Sequence, residues 1–229
     1  MDRSASAEET VRAARRSTTR TLILDTAERL FAEHGVHAVS NRQIGESAGQ
    51  ANTSVVGYYF RSRLDLVRAI VDRHNAEIDG IRTRMLARIG DSPDVRDWVA
   101  CLVHPMAEHL AAAGGPTWFA RFGAQVMTDP SLRGVMIEDA FTSPSVQRIR
   151  AGLKRCLPAL PPRARSERAD IVLHLLVHVW AEREHAVAEG LPTLRATWQD
   201  AASGLVDAIV GIWLAPVTAV EEHAVSAPA

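Results

Sequence analysis

Residues Val39 to Leu66 read VSNRQIGESAGQANTSVVGYYFRSRLDL, and the boundary signals inside this stretch decide the fold. Ser40 is placed to cap a helix: Gln43 stands three residues on to return the hydrogen bond, and Val39 and Ile44 are spaced as a hydrophobic staple. Ile44 and Ala48 share a face of that helix, and Gly49 gives the backbone freedom to stop and turn. Asn52 suits the cap of a second helix in which Val55, Val56 and Tyr59 face inward while Thr53, Ser54 and Tyr58 stay outside. Ser62 with Asp65 repeats the capping pattern for a longer helix from Arg63. Two short helices joined by a Gly-containing turn form the helix-turn-helix arrangement, whose second helix enters the major groove of DNA. An ordinary helical hairpin is the other reading of the same signals.

Flanking residues narrow that choice. From Thr19 to Ile70 the chain resembles the N-terminal DNA-binding domain of the TetR (tetracycline repressor) family of bacterial transcription regulators. The carrying residues are TRTLILDTAERLFAEHGVHAVSNRQIGESAG and, after the second helix, YYFRSRLDLVRAI. Between Gly49 and Phe60 the chain is a residue longer than the common pattern, with Val56 and Gly57 where a Leu-Tyr step is usual. A branch of the family has the same spacing of AGQ, Asn, Ser, Val, Tyr and Phe, so the extra residue is expected to lengthen the turn. The resemblance implies that Arg42 and Arg63 contact phosphates, with Ser40 donating to phosphate and Arg20 and Arg61 completing the basic set. Asn52, Thr53, Ser54, Tyr58 and Tyr59 are the candidates for base edges, thymine methyls and sugars. The plainer alternatives are core packing against Phe31 for Tyr59 and a solvated surface for Arg42 and Arg63.

Charge supports a DNA-facing head. The whole chain carries a formal −1, yet from Val11 to Arg63 eight arginines (12, 15, 16, 20, 29, 42, 61 and 63) face four acids, Asp25, Glu28, Glu33 and Glu46. A basic head on an acidic body follows. The 229 residues, 47% of them hydrophobic, suffice for a real core. Cys101 and Cys156 lack Cys-x-x-Cys spacing and read as free thiols in a reducing cytoplasm. The most apolar runs, Ile171 to Trp180 and Ala208 to Val220, are interrupted by His174, His178 and Pro216 and fall short of the ~20 residues a bilayer span needs. No signal peptide is evident, so a soluble protein is expected. Lys154 is the only lysine, which reads as compositional bias.

The expected architecture is all-α, with no alternating strand pattern. Residues 1–17 read as a flexible basic arm whose Arg12, Arg15 and Arg16 could reach phosphates or a minor groove. Residues 18–65 form the three-helix DNA-binding domain, 66–215 the larger helical ligand-binding and dimerisation domain, and 216–229 a frayed tail. The first firm helix is expected from Thr19 to His34, and the helix from Arg63 is expected to bend or break at Asp79-Gly80. Further helices are expected at Val95–Ala113, Thr117–Thr128 with Pro116 in its first turn, and Leu132–Cys156 with an interruption at Thr142-Ser-Pro144. Two long apolar helices follow, Arg163–Glu189 and Thr197–Leu214.

PTWFARFGAQVMTDP also resembles the body of many family members. Trp98, Leu102, Met106, Trp118, Phe119, Phe122 and Phe141 are candidates for lining a pocket for a small, mainly apolar effector, each with core packing as its plainer role. The resemblance implies a repressor that binds a palindromic operator as a homodimer through the last two helices, Ala169–Trp180 and Trp198–Trp213, and that an effector releases. Activation in place of repression stays open.

His174, His178, Glu182 and His185 fall along one helix face and suggest a metal-responsive alternative built on His174 and His178. All four cannot close one tetrahedron, because the first and last lie about 16 Å apart along the axis. A polar strip at the dimer seam is the plainer reading. There is no Gly-rich phosphate loop, no nucleophile motif and no His-Glu-x-x-His, since HLLVH at 174–178 lacks the glutamate. No enzyme and no cofactor are therefore expected.

Overall fold

The structure is a computed structural model that describes residues 2–52 and 54–218, with side chains described for 16–52, 54–138 and 142–218. The described residues form helices and no strand. The first four are α1 (Asp2–His34), α2 (Asn41–Ser47), α3 (Val55–Tyr59) and α4 (Arg63–Ile89). They are followed by α5 (Val95–Ala112), α6 (Phe119–Thr128), α7 (Arg133–Thr142), α8 (Pro144–Cys156), α9 (Pro162–Ala188) and α10 (Trp198–Leu214).

Three boundaries depart from the sequence expectation. The backbone of α1 is helical from Asp2, through the segment read as an arm up to residue 17. That segment is rich in Ala, Arg and Glu, strong helix formers, and no Gly or Pro interrupts it before Gly35, whose φ of +87° ends the helix. Apolar periodicity finds only the helix that it patterns, and helix propensity carries the backbone further. α4 runs unbroken through Asp79 and Gly80, because buried Ile78 and Ile81 hold it on either side of a glycine whose cost is only ~1 kcal/mol. α6 begins at Phe119, leaving Pro116 outside.

A distant residue accounts for that last start. Glu184 of α9, 1% exposed, accepts hydrogen bonds from the backbone N–H groups of Ala120 (3.2 Å) and Arg121 (2.9 Å) and from Arg121 Nε (3.3 Å). A carboxylate there satisfies orphan donors of the first turn and opposes the helix dipole. The expected interruption near Pro144 is present, with Ser143 as N-cap residue and Pro144 opening α8.

The helices close over two apolar cores. One gathers α1, α2, α3 and the first half of α4 with Phe119, Phe122 and Val126 of α6 and Val135 of α7. The other joins Leu86 near the end of α4 to α5, α8, α9 and α10, and half-buried Met106 packs against both. The boundary placed at residue 65 thus falls three residues into a helix shared by both cores.

Cys101 is buried and Cys156 half-buried, both free thiols. Burial pushes the Cys101 thiol up to about 11, so it should resist alkylation in the native protein at pH 8 and react only on unfolding, which mass spectrometry after iodoacetamide treatment will read. Trp98 lies flat on Gly152, where an added Cβ would sit inside the indole. Gly152→Ala should therefore destabilise the body by at least ~1–3 kcal/mol, measured as a lowered melting temperature.

Candidate nucleic-acid interface

Helix α2 starts as its sequence requires. The Ser40 hydroxyl accepts from Gln43 N (3.2 Å) while Gln43 Oε1 accepts from the Ser40 amide (2.8 Å), closing the capping box. Val39 and Ile44 are both buried, as a staple demands. Gly49, at φ +65°, then turns the chain, and α3 begins at Val55. Asn52 caps at one remove: its Oδ1 accepts from Ser54 N (2.9 Å) as an Asx-turn, and Ser54 itself is the N-cap residue, with no side-chain hydrogen bond of its own. Ser62 caps α4 by accepting from Asp65 N (3.0 Å).

The candidate contacts divide into outward and inward groups. Arg20, Ser40, Arg42, Asn52, Ser54, Tyr58 and Arg61 are exposed, and Thr53 lies outside the described residues. Tyr58 is the most prominent, 66% exposed on α3, with its hydroxyl accepting from Arg16 Nη2 (2.6 Å). The Arg12-Arg15-Arg16 grouping flagged Arg16 without its tie to Tyr58; the side chains of Arg12 and Arg15 are outside the described residues. Arg42 bonds Glu46 one turn on (2.7 Å), and that carboxylate raises its pKa above an already high value, so the guanidinium is permanently charged. Arg20 lies over the Phe60 ring (5.3 Å). Ser40 is less free than expected, because its hydroxyl also donates to Gln43 Oε1 (2.8 Å); giving that proton to a phosphate would cost this bond while leaving both bonds of the capping box in place.

Arg63 and Tyr59 turn inward. Arg63 donates to the Val39 carbonyl (2.6 Å), lies over the Phe31 ring (5.0 Å) and is half-buried, and burial pulls its pKa down. It ties the start of α4 to the residue before the α2 cap. Tyr59 packs on the head core, edge-on to Tyr58 with centroids 5.2 Å apart.

In the body, the candidate effector residues are packing groups. Trp98 is fully buried with its indole N–H donating to the Ser92 carbonyl (2.9 Å). Phe122 stacks on Phe31 (6.2 Å) and Phe119 on His74 (3.9 Å). Leu102, Met106 and Trp118 are half-buried against the two cores, and the Phe141 side chain lies outside the described residues.

Residues 23–70 match the tetR family of bacterial regulatory proteins, and residues 100–211 match the tetracyclin repressor-like C-terminal domain. The chain belongs to the TetR family. A TetR-family transcription regulator is not an enzyme, in line with the sequence reading. The fold is shared with solved structures at low identity. A protein from Shewanella sp. PV-4 assigned to the tetR family of transcription regulators is 18% identical, with 85% of this chain and 96% of that one covered, at a TM-score of 0.55. A linker-substituted HlyIIR mutant is 13% identical over 84% of this chain and 96% of its own, at 0.50. No curated protein matches the sequence.

Two other features of this TetR-family chain were weighed from sequence. His174, His178, Glu182 and His185 line the exposed face of α9, the first two rings stacked in parallel with centroids 6.1 Å apart. Among the described residues no three His, Cys, Asp or Glu side chains are grouped to hold a metal ion. No helix of the described residues is long and apolar enough to cross a membrane.

Arg63→Met keeps apolar bulk near Phe31 but strips the Val39 carbonyl of its donor. Hydrogen exchange should quicken across α2 and α3 by the equivalent of ~1–3 kcal/mol, with exchange in α10 unchanged.

Proposed function

We propose that this regulator is a repressor that binds a palindromic operator as a homodimer and is released by a small, mainly apolar effector. The observation that carries the DNA-facing half is the exposure of Arg42, Arg61, Arg20 and Tyr58 on a head that matches the family from residue 23 to 70. Arginines outside and at the helix start give phosphate contacts that fix register, while Asn52, Ser54 and Tyr58 reach base edges. Arg63 acts from behind, holding the caps of α2 and α4 in register.

Two-fold half-sites about one helical turn apart (~34 Å) call for two heads. The last two helices supply the seam. Ile171 and Val187 of α9, Leu214 of α10 and Leu191 and Leu194 between them are large apolar side chains left exposed on one protomer. The effector enters among Leu102, Met106 and Trp118, the half-buried members of the aromatic and Met-lined wall, and the fully packed Trp98, Phe119 and Phe122 behind them must shift to admit it. Its coupling to the head need amount to only ~1–3 kcal/mol. Such a protein works in the cytoplasm.

Titration of the purified protein against DNA upstream of its own and neighbouring genes tests the reading. With roughly 6 phosphates neutralised per dimer, the log-log salt slope should be about −5, and Arg42→Ala and Arg61→Ala should each make it shallower by about 2. A salt-independent affinity would remove the DNA reading. A hydrophobic compound that raises the melting temperature should also weaken operator binding; a screen in which none does so removes the effector half.

A further inference from the structure

Between head and body lies a chain of charged and ionisable side chains that operator contact does not use. Glu28 of α1, 5% exposed, accepts from Arg73 Nη2 (2.7 Å) and from His74 Nε2 (2.7 Å), both on α4. His74 Nδ1 faces Nε2 of His109, on α5, at 2.7 Å, and His109 Nδ1 meets Glu77 Oε2 at 3.1 Å. Arg73 also reaches Asp25 (2.5 Å), and Phe119 of α6 stacks on the His74 ring. The groups facing the imidazole pair are therefore Asp25 and Glu28 from α1, Arg73 and Glu77 from α4, and an uncharged ring from α6.

Proton counting gives what this chain needs to make all its contacts. Three contacts run through the pair, to Glu28, between the rings, and to Glu77, and each needs one N–H. Two neutral imidazoles carry two N–H groups in all. With one extra proton the pair has three, every contact is made, and its single positive charge sits between two carboxylates. With a second extra proton both facing nitrogens carry hydrogen, and two like charges meet where a hydrogen bond had been.

We propose that this clasp is an acid-opened latch: sharing one proton it fastens α1 to α4 and α5, and a second proton forces the rings apart and loosens α5 from α1 and α4. Burial, and then the neighbouring His74, hold the His109 pKa below the usual imidazole range, so His109 resists taking a further proton. The sign follows. A depressed folded pKa means that His109 favours the folded, closed state above the ordinary value of 6.5, and that this contribution is lost as pH falls through the depressed value. Opening slackens this brace between head and body while their shared apolar core stays closed, so operator affinity drops in acid.

The operator readout rests on the DNA-binding reading above, whereas the latch has a readout of its own. In the full-length protein, nitrogen NMR of the imidazoles should show His109 neutral with Nδ1–H at pH 7. As His109 becomes charged on acidification, amide exchange around Glu28 should accelerate, and operator affinity should fall about tenfold. In His109→Gln the amide oxygen can accept from His74 and the NH2 can donate to Glu77, so the variant should stay closed and lose the acid-dependent step in both exchange and affinity. An unchanged acid response in His109→Gln, or a His109 that titrates like a free imidazole, overturns the latch. Wild-type protein that binds no operator at any pH sinks the DNA reading instead, with the latch still judged by NMR and exchange.

Discussion

Phe122 of α6 stacks on Phe31 of α1, and through this contact the DNA-reading head and the body share one core. A head that packed only on itself would be a three-helix unit of marginal size, with little apolar area to bury. Here Phe119, Phe122 and Val126 complete it from the body side. The loop joining α1 to α2 is fastened to the same neighbour, since His37 pairs with Asp129 just past the end of α6. α6 is in turn held by its first turn to the buried Glu184 of α9. A continuous mechanical path thus runs from α1 through α6 to a helix of the proposed dimer seam, each link made of buried contacts that move together or not at all.

The bias toward arginine acquires a physical reason in this setting. Read from composition it carried no weight, yet several guanidinium groups work inside the fold. Arg168, buried, donates to the carbonyls of Trp213 (2.8 Å) and Ala215 (2.6 Å), placing a cation on the last turn of α10. Arg63 serves the Val39 carbonyl and Arg121 the Thr117 carbonyl (3.1 Å). A planar group with five donors can cross a gap, satisfy orphan carbonyls and stack on a ring at once, and an ammonium cannot. The arginines left outside, Arg42 and Arg61 among them, are the ones free to meet phosphates.

What was legible in the sequence is what local chemistry controls. The Ser40–Gln43 box, the Ser62 cap, the Gly49 turn, the break at Pro144 and the inward turn of Val56 all follow from residues within one or two turns of each other. What was not legible has a different cause, a partner far along the chain. Nothing near Pro116 announces that Glu184 will set the start of α6 at Phe119. Arg63 fits a phosphate-contact pattern, and only the closed fold puts Phe31 and the Val39 carbonyl within its reach. Whether the aromatic side chains line a void or fill a core depends on distant neighbours: Gly152 lets Trp98 close the space in one core, and Phe119 and Phe122 pack in the core shared with the head. α1 runs to Asp2 through residues of high helix propensity, a signal that apolar periodicity does not carry.

The unbroken α4 has a further consequence for how such a molecule can respond to a ligand. It is a rod of 27 residues, about 40 Å long, with Leu66 to Ile78 buried in the head core and Leu86 in the body core. Had it broken at Gly80, a shift in the body could be absorbed at the break and lost. As a continuous helix it cannot shorten, so displacement of its body end reappears at the head as tilt or translation. The polar chain through Glu28, His74 and His109 crosses this rod near its middle, beside Phe119 in the head core, where it resists sliding of α1 and α5 against α4. Apolar packing on either side tolerates small slips at low cost, whereas hydrogen bonds between charged groups do not. The geometry of the heads is therefore set most firmly at the point where the interior is least apolar.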